Sequence, residues 1–175
     1  TAPSGCSVEA IVPAGRLPEM PGLEGVRQLP FARRELAGSW QLGLAPGVGG
    51  GLLHAPTLMA PLVRHDRLHD DDQIAVTVWD LDAWEAPETL SKTTVGWQRA
   101  MMKRAAKHAD IVIVPSHSAA ERISDIAKVG DRVRVVAGAA PERFRTPDDA
   151  ADRRAALSLP KAYVVLVGTA TSLEH

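Results

Sequence analysis

One cysteine in 175 residues, Cys6, rules out an internal disulfide. With no partner, that thiol reads as inert, and its isolation fits a reducing compartment. Long hydrophobic runs are also missing. None approaches the ~20 residues a membrane-spanning helix needs, and the N-terminus lacks the pattern of a secretory signal. Neither sign of charge is in excess: 20 Lys and Arg stand against 21 Asp and Glu, a net charge of −1. That balance gives no reason to expect a broad nucleic-acid surface. Internal repeats are absent. The chain starts at Thr1 rather than Met and finishes Leu173-Glu174-His175, which reads as the start of a vector-encoded histidine tag. Both ends are therefore expected to be cut ends.

What is present is an ordinary globular composition, 45% hydrophobic and 23% charged, enough for one domain with a real core. Strand-like runs recur at Ser7–Val12, Val26–Leu29, Leu52–His54, Ile74–Trp79, Ile111–Val114, Arg132–Ala137 and Tyr163–Val167. Ile74-Ala75-Val76-Thr77-Val78 and Ile111-Val112-Ile113-Val114 are continuous rather than alternating, as strands buried on both faces of a parallel sheet are. Helical patterns separate most of the runs, so βαβ crossovers are expected. The strongest helix is about Thr93–Ala109, with Val95, Met102, Ala106 and Ala109 on one stripe. Arg99, Lys103 and Lys107 form a basic row on another face; the plainer reading is a solvated face, the sharper one a contact with an anionic membrane surface. Ser118-Ala119-Ala120-Glu121 has the pattern of a capping box and predicts a helix start there. From Ala139 to Pro160, three prolines and the pair Asp148-Asp149 read as an interdomain connection.

Several clusters invite a chemical reading. Asp80 and Asp82 follow a buried strand directly, where ionised carboxylates can orient sugar hydroxyls. Each serves equally well as a turn-former bonding its own backbone. His65 and His69 have the four-residue spacing of a zinc pair, but Asp66 stands where a metalloprotease glutamate would be and the flanks are polar, so a solvated loop is expected. Ser116, His117 and Ser118 lack the glycine-flanked elbow of a serine nucleophile, and His117 reads as ligand-facing or capping rather than as a general base. The glycines from Gly47 to Gly51 precede a strand instead of opening a helix, which argues for a turn over a phosphate loop.

Five segments, in order over roughly residues 50–170, resemble the family 4 (group 1) glycosyltransferases of GT-B fold, the actinobacterial branch in particular. Leu53-His54-Ala55-Pro56 is similar to that family's H-x-P. Val76-Thr77-Val78-Trp79-Asp80-Leu81, with Pro87-Glu88 after it, is similar to T-V-H-D-L followed by P-E. The basic, alanine-rich helix running into Ala105-Ala106-Lys107-His108-Ala109-Asp110 comes third. Val114-Pro115-Ser116-His117-Ser118 through Glu121 is similar to V-S-x-x-S-x-x-E. Arg132 to Val136, then Pro141-Glu142-Arg143-Phe144 and Tyr163 to Thr169, complete the series.

The resemblance implies an α/β fold, a Rossmann-like three-layer parallel sheet forming the N-terminal, acceptor-side half of a GT-B enzyme. It implies residues 1–138 as that domain without its first strand, 139–160 as a linker and 161–172 as the first strand of a donor-binding domain, with 173–175 the tag remnant read above. The activity implied is transfer of a hexose from a nucleotide-sugar to an acceptor hydroxyl, metal-independent, in a cytoplasmic enzyme whose acceptor is a carbohydrate or glycolipid and which can touch the inner membrane face. Trp79, Asp80, Asp82, Ser116 and His117 are the implied acceptor-side residues, and Gly168 matches the glycine near the donor phosphates. No residue is assigned a catalytic role. The donor-binding basic pair and acidic motif do not occur in these residues, so the chain alone is expected to be inactive. One departure matters: Trp79 stands where the family has His. A sugar-nucleotide epimerase of the same fold and a degenerate, non-catalytic sugar-binding or scaffold module remain alternatives.

Overall fold

Every strand pairing in the described part of the protein is parallel. The computed structural model describes residues 5–17, 23–66, 72–140 and 145–165. The chain divides into two units, Thr1–Gly138 and Ala139–His175.

In the first unit, β1 (Glu9–Ala14) pairs with β2 (Gly25–Ala32), and β3 (Gly51–Ala55), β4 (Asp72–Thr77), β5 (Ile111–Val114) and β6 (Val133–Val135) form a four-stranded sheet in that order. The helices are α1 (Arg33–Gln41), the single turn α2 (Asp82–Glu85), α3 (Lys92–His108) and α4 (His117–Ile126). This is a mixed α/β, Rossmann-like three-layer fold built on an all-parallel sheet flanked by helices. The crossovers through α3 and α4 both advance the sheet in one direction, and right-handed connections therefore place both helices on one face.

Register explains the core. Leu53 sits beside Ile74, Val76 beside Val112, and Val112 beside Val133. This row faces inward: Ile74, Val76, Val112 and Val114 are buried with Met101, Met102, Ala105 and Ile123 of the covering helices. The alternate row is covered unevenly. Ala75 and Thr77 are buried, Ile111 and Ile113 are half-buried, and Leu52 is 74% exposed. The continuous apolar runs thus predict two-sided burial correctly for β4 and only in part for β5, because β5 carries its bulk on a face with fewer neighbours.

The long helix begins one residue before the expected Thr93. Ser91 is its N-cap, with Oγ accepting from the Thr94 N–H at 3.1 Å. Lys107 and His108 lie in the last turn, where positive charge complements the exposed carbonyls. Its most buried positions are Met101, Met102 and Ala105, slightly rotated from the expected stripe. Trp97 donates from Nε1 to the Ala37 carbonyl at 3.2 Å, tying α3 to α1.

In the second unit, α5 (Ala150–Ala156) buries none of its residues. Tyr163–Val165 does not form the strand expected over Tyr163–Val167; Val164 is 97% exposed and no strand of the described residues pairs with it. A strand without a neighbour cannot satisfy its own backbone groups. Residues 166 and 167, with Gly168, lie outside the described residues.

Candidate functional site

The carboxyl ends of β4 and β5 open on one edge of the sheet, where open α/β folds gather ligands. β4 ends at Thr77, two residues short of the expected Trp79, although the Val78 N–H still donates to Ile113 O at 2.8 Å. Trp79 and Asp80 therefore stand just past the strand. They line a cavity of about 210 Å³ with Thr57, Thr77, Trp97 and Gln98, and Arg33 stands at its side.

The indole of Trp79 is 55% exposed, yet its only donor is committed: Nε1 donates to Pro56 O at 2.8 Å. With that N–H held, what the indole can offer a ligand is its face. That bond also joins two of the sequence segments, the one around His54 and Pro56 and the one around Trp79. His54 Nε2 meets Thr77 Oγ1 at 2.9 Å and so satisfies the buried threonine hydroxyl.

Asp80 forms the turn expected in one of its two readings. Its Oδ1 accepts from the Asp82 N–H at 3.3 Å, a turn bond, while the residue remains exposed and faces the cavity. Asp82 does not line the cavity; it is the first residue of α2. Partial burial, followed by the charges of Asp80 and Glu85, raises its carboxyl above the ordinary 3.8. A raised value in the folded chain means that the ionised form opposes folding, so this contribution favours stability at low pH and fades as pH rises through the folded value. Asp82→Asn is therefore expected to be slightly more stable than wild type at pH 7 and indistinguishable from it near pH 3. Urea melts at the two pH values check this, and a variant less stable at pH 7 would contradict it.

Ser116 and His117 follow β5 on the same edge but are not in the lining of the cavity. Ser116, not Ser118, is the N-cap of α4: its φ of −152° and ψ of 161° are extended, and its Oγ accepts from the Ala119 N–H at 3.1 Å. The expected capping box at Ser118 and Glu121 does not form; the cap lies two residues earlier, and Ala119 at the third helical position has no polar side chain to complete a box. The Ser116 hydroxyl serves the helix, and His117 is exposed at its first position.

His65 departs from the solvated loop expected for it. Its side chain is only 8% exposed, with Nε2 2.8 Å from Asp110 Oδ2 and Nδ1 3.0 Å from Val63 O. Both ring nitrogens are thus engaged within the protein. His69 lies outside the described residues, and no group of three metal-ligating side chains occurs among the described ones. Around Gly47–Gly51 the glycines at 47, 49 and 51 have positive φ, and the Gly51 N–H donates to Asp72 Oδ1 at 3.1 Å, as a turn into a strand requires.

The sequence matches no family model, no curated protein and no solved structure.

Sequence reasoning missed Arg33, Thr57, Trp97 and Gln98. Gln98 Oε1 is buried in the cavity wall with no hydrogen-bond partner among the described residues, a costly state for an amide oxygen. No local pattern marks it, since α3 supplies Gln98 and the neighbouring Trp97 to a site whose other members lie on separate segments. Of the described helices, none is long and apolar enough to cross a membrane.

Proposed function

We propose that this chain is the acceptor-side part of a metal-independent glycosyltransferase, which moves a hexose from a nucleotide-sugar to an acceptor hydroxyl. The observation that carries the reading is the cavity at the carboxyl edge of the sheet, where a carboxylate that is free to accept stands beside two indoles. Indole faces suit the apolar faces of sugar rings, and a carboxylate accepts from adjacent hydroxyl donors. Asp80 would orient the acceptor hydroxyl through the oxygen not held by the turn, with Trp79 and Trp97 as walls. Ser116 and His117 stand on the same sheet edge, outside the lining of that cavity. The nucleotide-sugar would be held by residues other than these, so the 175-residue chain alone is expected to bind an acceptor and turn nothing over. A carbohydrate or a glycolipid fits the acceptor role, the latter with the enzyme working at the inner membrane face.

In an enzyme that includes the donor-binding part, Asp80→Asn is expected to raise the acceptor KM by about tenfold, ~1.4 kcal/mol, with donor binding unchanged. Unaltered acceptor kinetics would refute the role. A second reading, a non-catalytic sugar-binding module, draws on Trp79 itself: an indole whose N–H is fixed to Pro56 O can neither give nor take a proton in a reaction. Sugar binding without turnover in the complete protein would select that reading.

A further inference from the structure

The basic row of α3 does not form one solvated face. Arg99 and Lys103 turn toward a second cavity, of about 340 Å³, bounded by α2, α3 and the end of α4. Trp84, Met102, Ala106, Ile126 and Ala127 make its floor. Its rim is cationic, formed by Arg99, Lys103 and Lys128, and no carboxylate is in the lining. Lys107, next in the row, lines a different hollow with Arg64, His65 and His108.

The rim is partly prebuilt. Arg99 is held in place by donating to the Ala83 carbonyl, from Nε at 2.9 Å and from Nη2 at 2.6 Å. Glu85 of α2 already pairs with Arg122 of α4 at 3.1 Å. Lys103 and Lys128 are exposed and make no ion pair among the described residues. An apolar hollow ringed by uncompensated cations fits an apolar group that brings negative charge beside it.

Shape decides between two such partners. A membrane surface is entered by apolar side chains that protrude from the protein, with cations above them. Here the apolar surface is recessed, so it receives a side chain instead of inserting one. We propose that this cavity docks a protein partner through a single bulky apolar residue flanked by Asp or Glu. The site is separate from the cavity at Trp79 and Asp80 and does not depend on the proposed activity.

The probe is a fluorescein-labelled peptide, Glu-Asp-Phe-Asp-Glu, titrated with the full chain and read by fluorescence polarisation. The expected result is binding at least tenfold tighter than that of the same peptide with Ala in place of Phe, and at least tenfold weaker binding to the Lys103→Glu/Lys128→Glu variant. Both lysines are exposed, and an unchanged thermal midpoint would show that the variant is folded. Equal binding of the Phe and Ala peptides, indifference to the charge reversal, or no binding of the Phe peptide overturns the proposal. So does flotation with phosphatidylserine-containing vesicles that the double variant loses while the peptide fails to bind.

Discussion

Replacing Arg132 with methionine is expected to lower the unfolding free energy by about 3 kcal/mol, since hydrogen bonds to a charged group contribute ~1.5–3 kcal/mol each and several share one side chain. The guanidinium donates to Ala109 O at 2.5 Å, Ala106 O at 2.6 Å, Val129 O at 3.0 Å and Lys128 O at 3.3 Å. Ala106 and Ala109 belong to the last turn and cap of α3, whose carbonyls lack intrahelical donors, so one side chain closes a helix end and ties it to the segment entering β6. Methionine keeps the apolar stem and removes the donors. Lysine keeps the charge but cannot reach carbonyls in different directions, and it should recover less than half of the loss. Urea titrations of the two variants decide the matter; a methionine variant within experimental error of wild type would refute this account.

Asp110→Ala is expected to have an effect of similar size, about 3 kcal/mol, because it leaves buried donors without an acceptor. Oδ2 of Asp110 accepts from the Ile74 N–H and from His65 Nε2, both at 2.8 Å. The carboxylate therefore joins the start of β5 to β4 and to the segment that carries His65. Amide exchange at Ile74 should accelerate more than at neighbouring core amides, which separates the loss of this bond from a general loosening. The double variant with His65→Ala should cost less than the sum of the single changes, since the two side chains share one interaction. Strict additivity together with normal protection at Ile74 would dismiss the role.

The sequence makes the sheet legible and the site only partly so. β4 and β5 are dense in Val and Ile and lie on either side of a capped, amphipathic helix, so local composition is enough to place them. Tyr163–Val165 has the same composition and forms no strand, because strand formation depends on a neighbour that composition does not report. For Asp80 the sequence offers a choice between turn and ligand; in the folded chain one oxygen takes the turn. The buried place of His65 is not legible locally, because its partner, Asp110, lies 45 residues away and nothing near His65 signals the pair. The pattern at Ser118 and Glu121 points to a cap there, yet the extended backbone at Ser116 and its bond from the Ala119 N–H set the cap two residues earlier. Arg33, Trp97 and Gln98 reach the cavity from α1 and α3, and their association with Asp80 exists only in the folded chain.

The order of the four-stranded sheet is also the order of the chain. Its joins span short stretches: the Gly51–Asp72 bond between β3 and β4 closes 21 residues, and the Ile74–Asp110 bond between β4 and the approach to β5 closes 36. Parallel pairings at these separations close more slowly than a hairpin does, but a sheet in chain order can lengthen by one crossover at a time as the polypeptide leaves the ribosome. Added in chain order, β6 would join last, and Arg132, immediately before it, would reach back to α3 only when that strand arrives. The guanidinium is then a late latch on an assembly already in place, and removing it should speed unfolding far more than it slows folding.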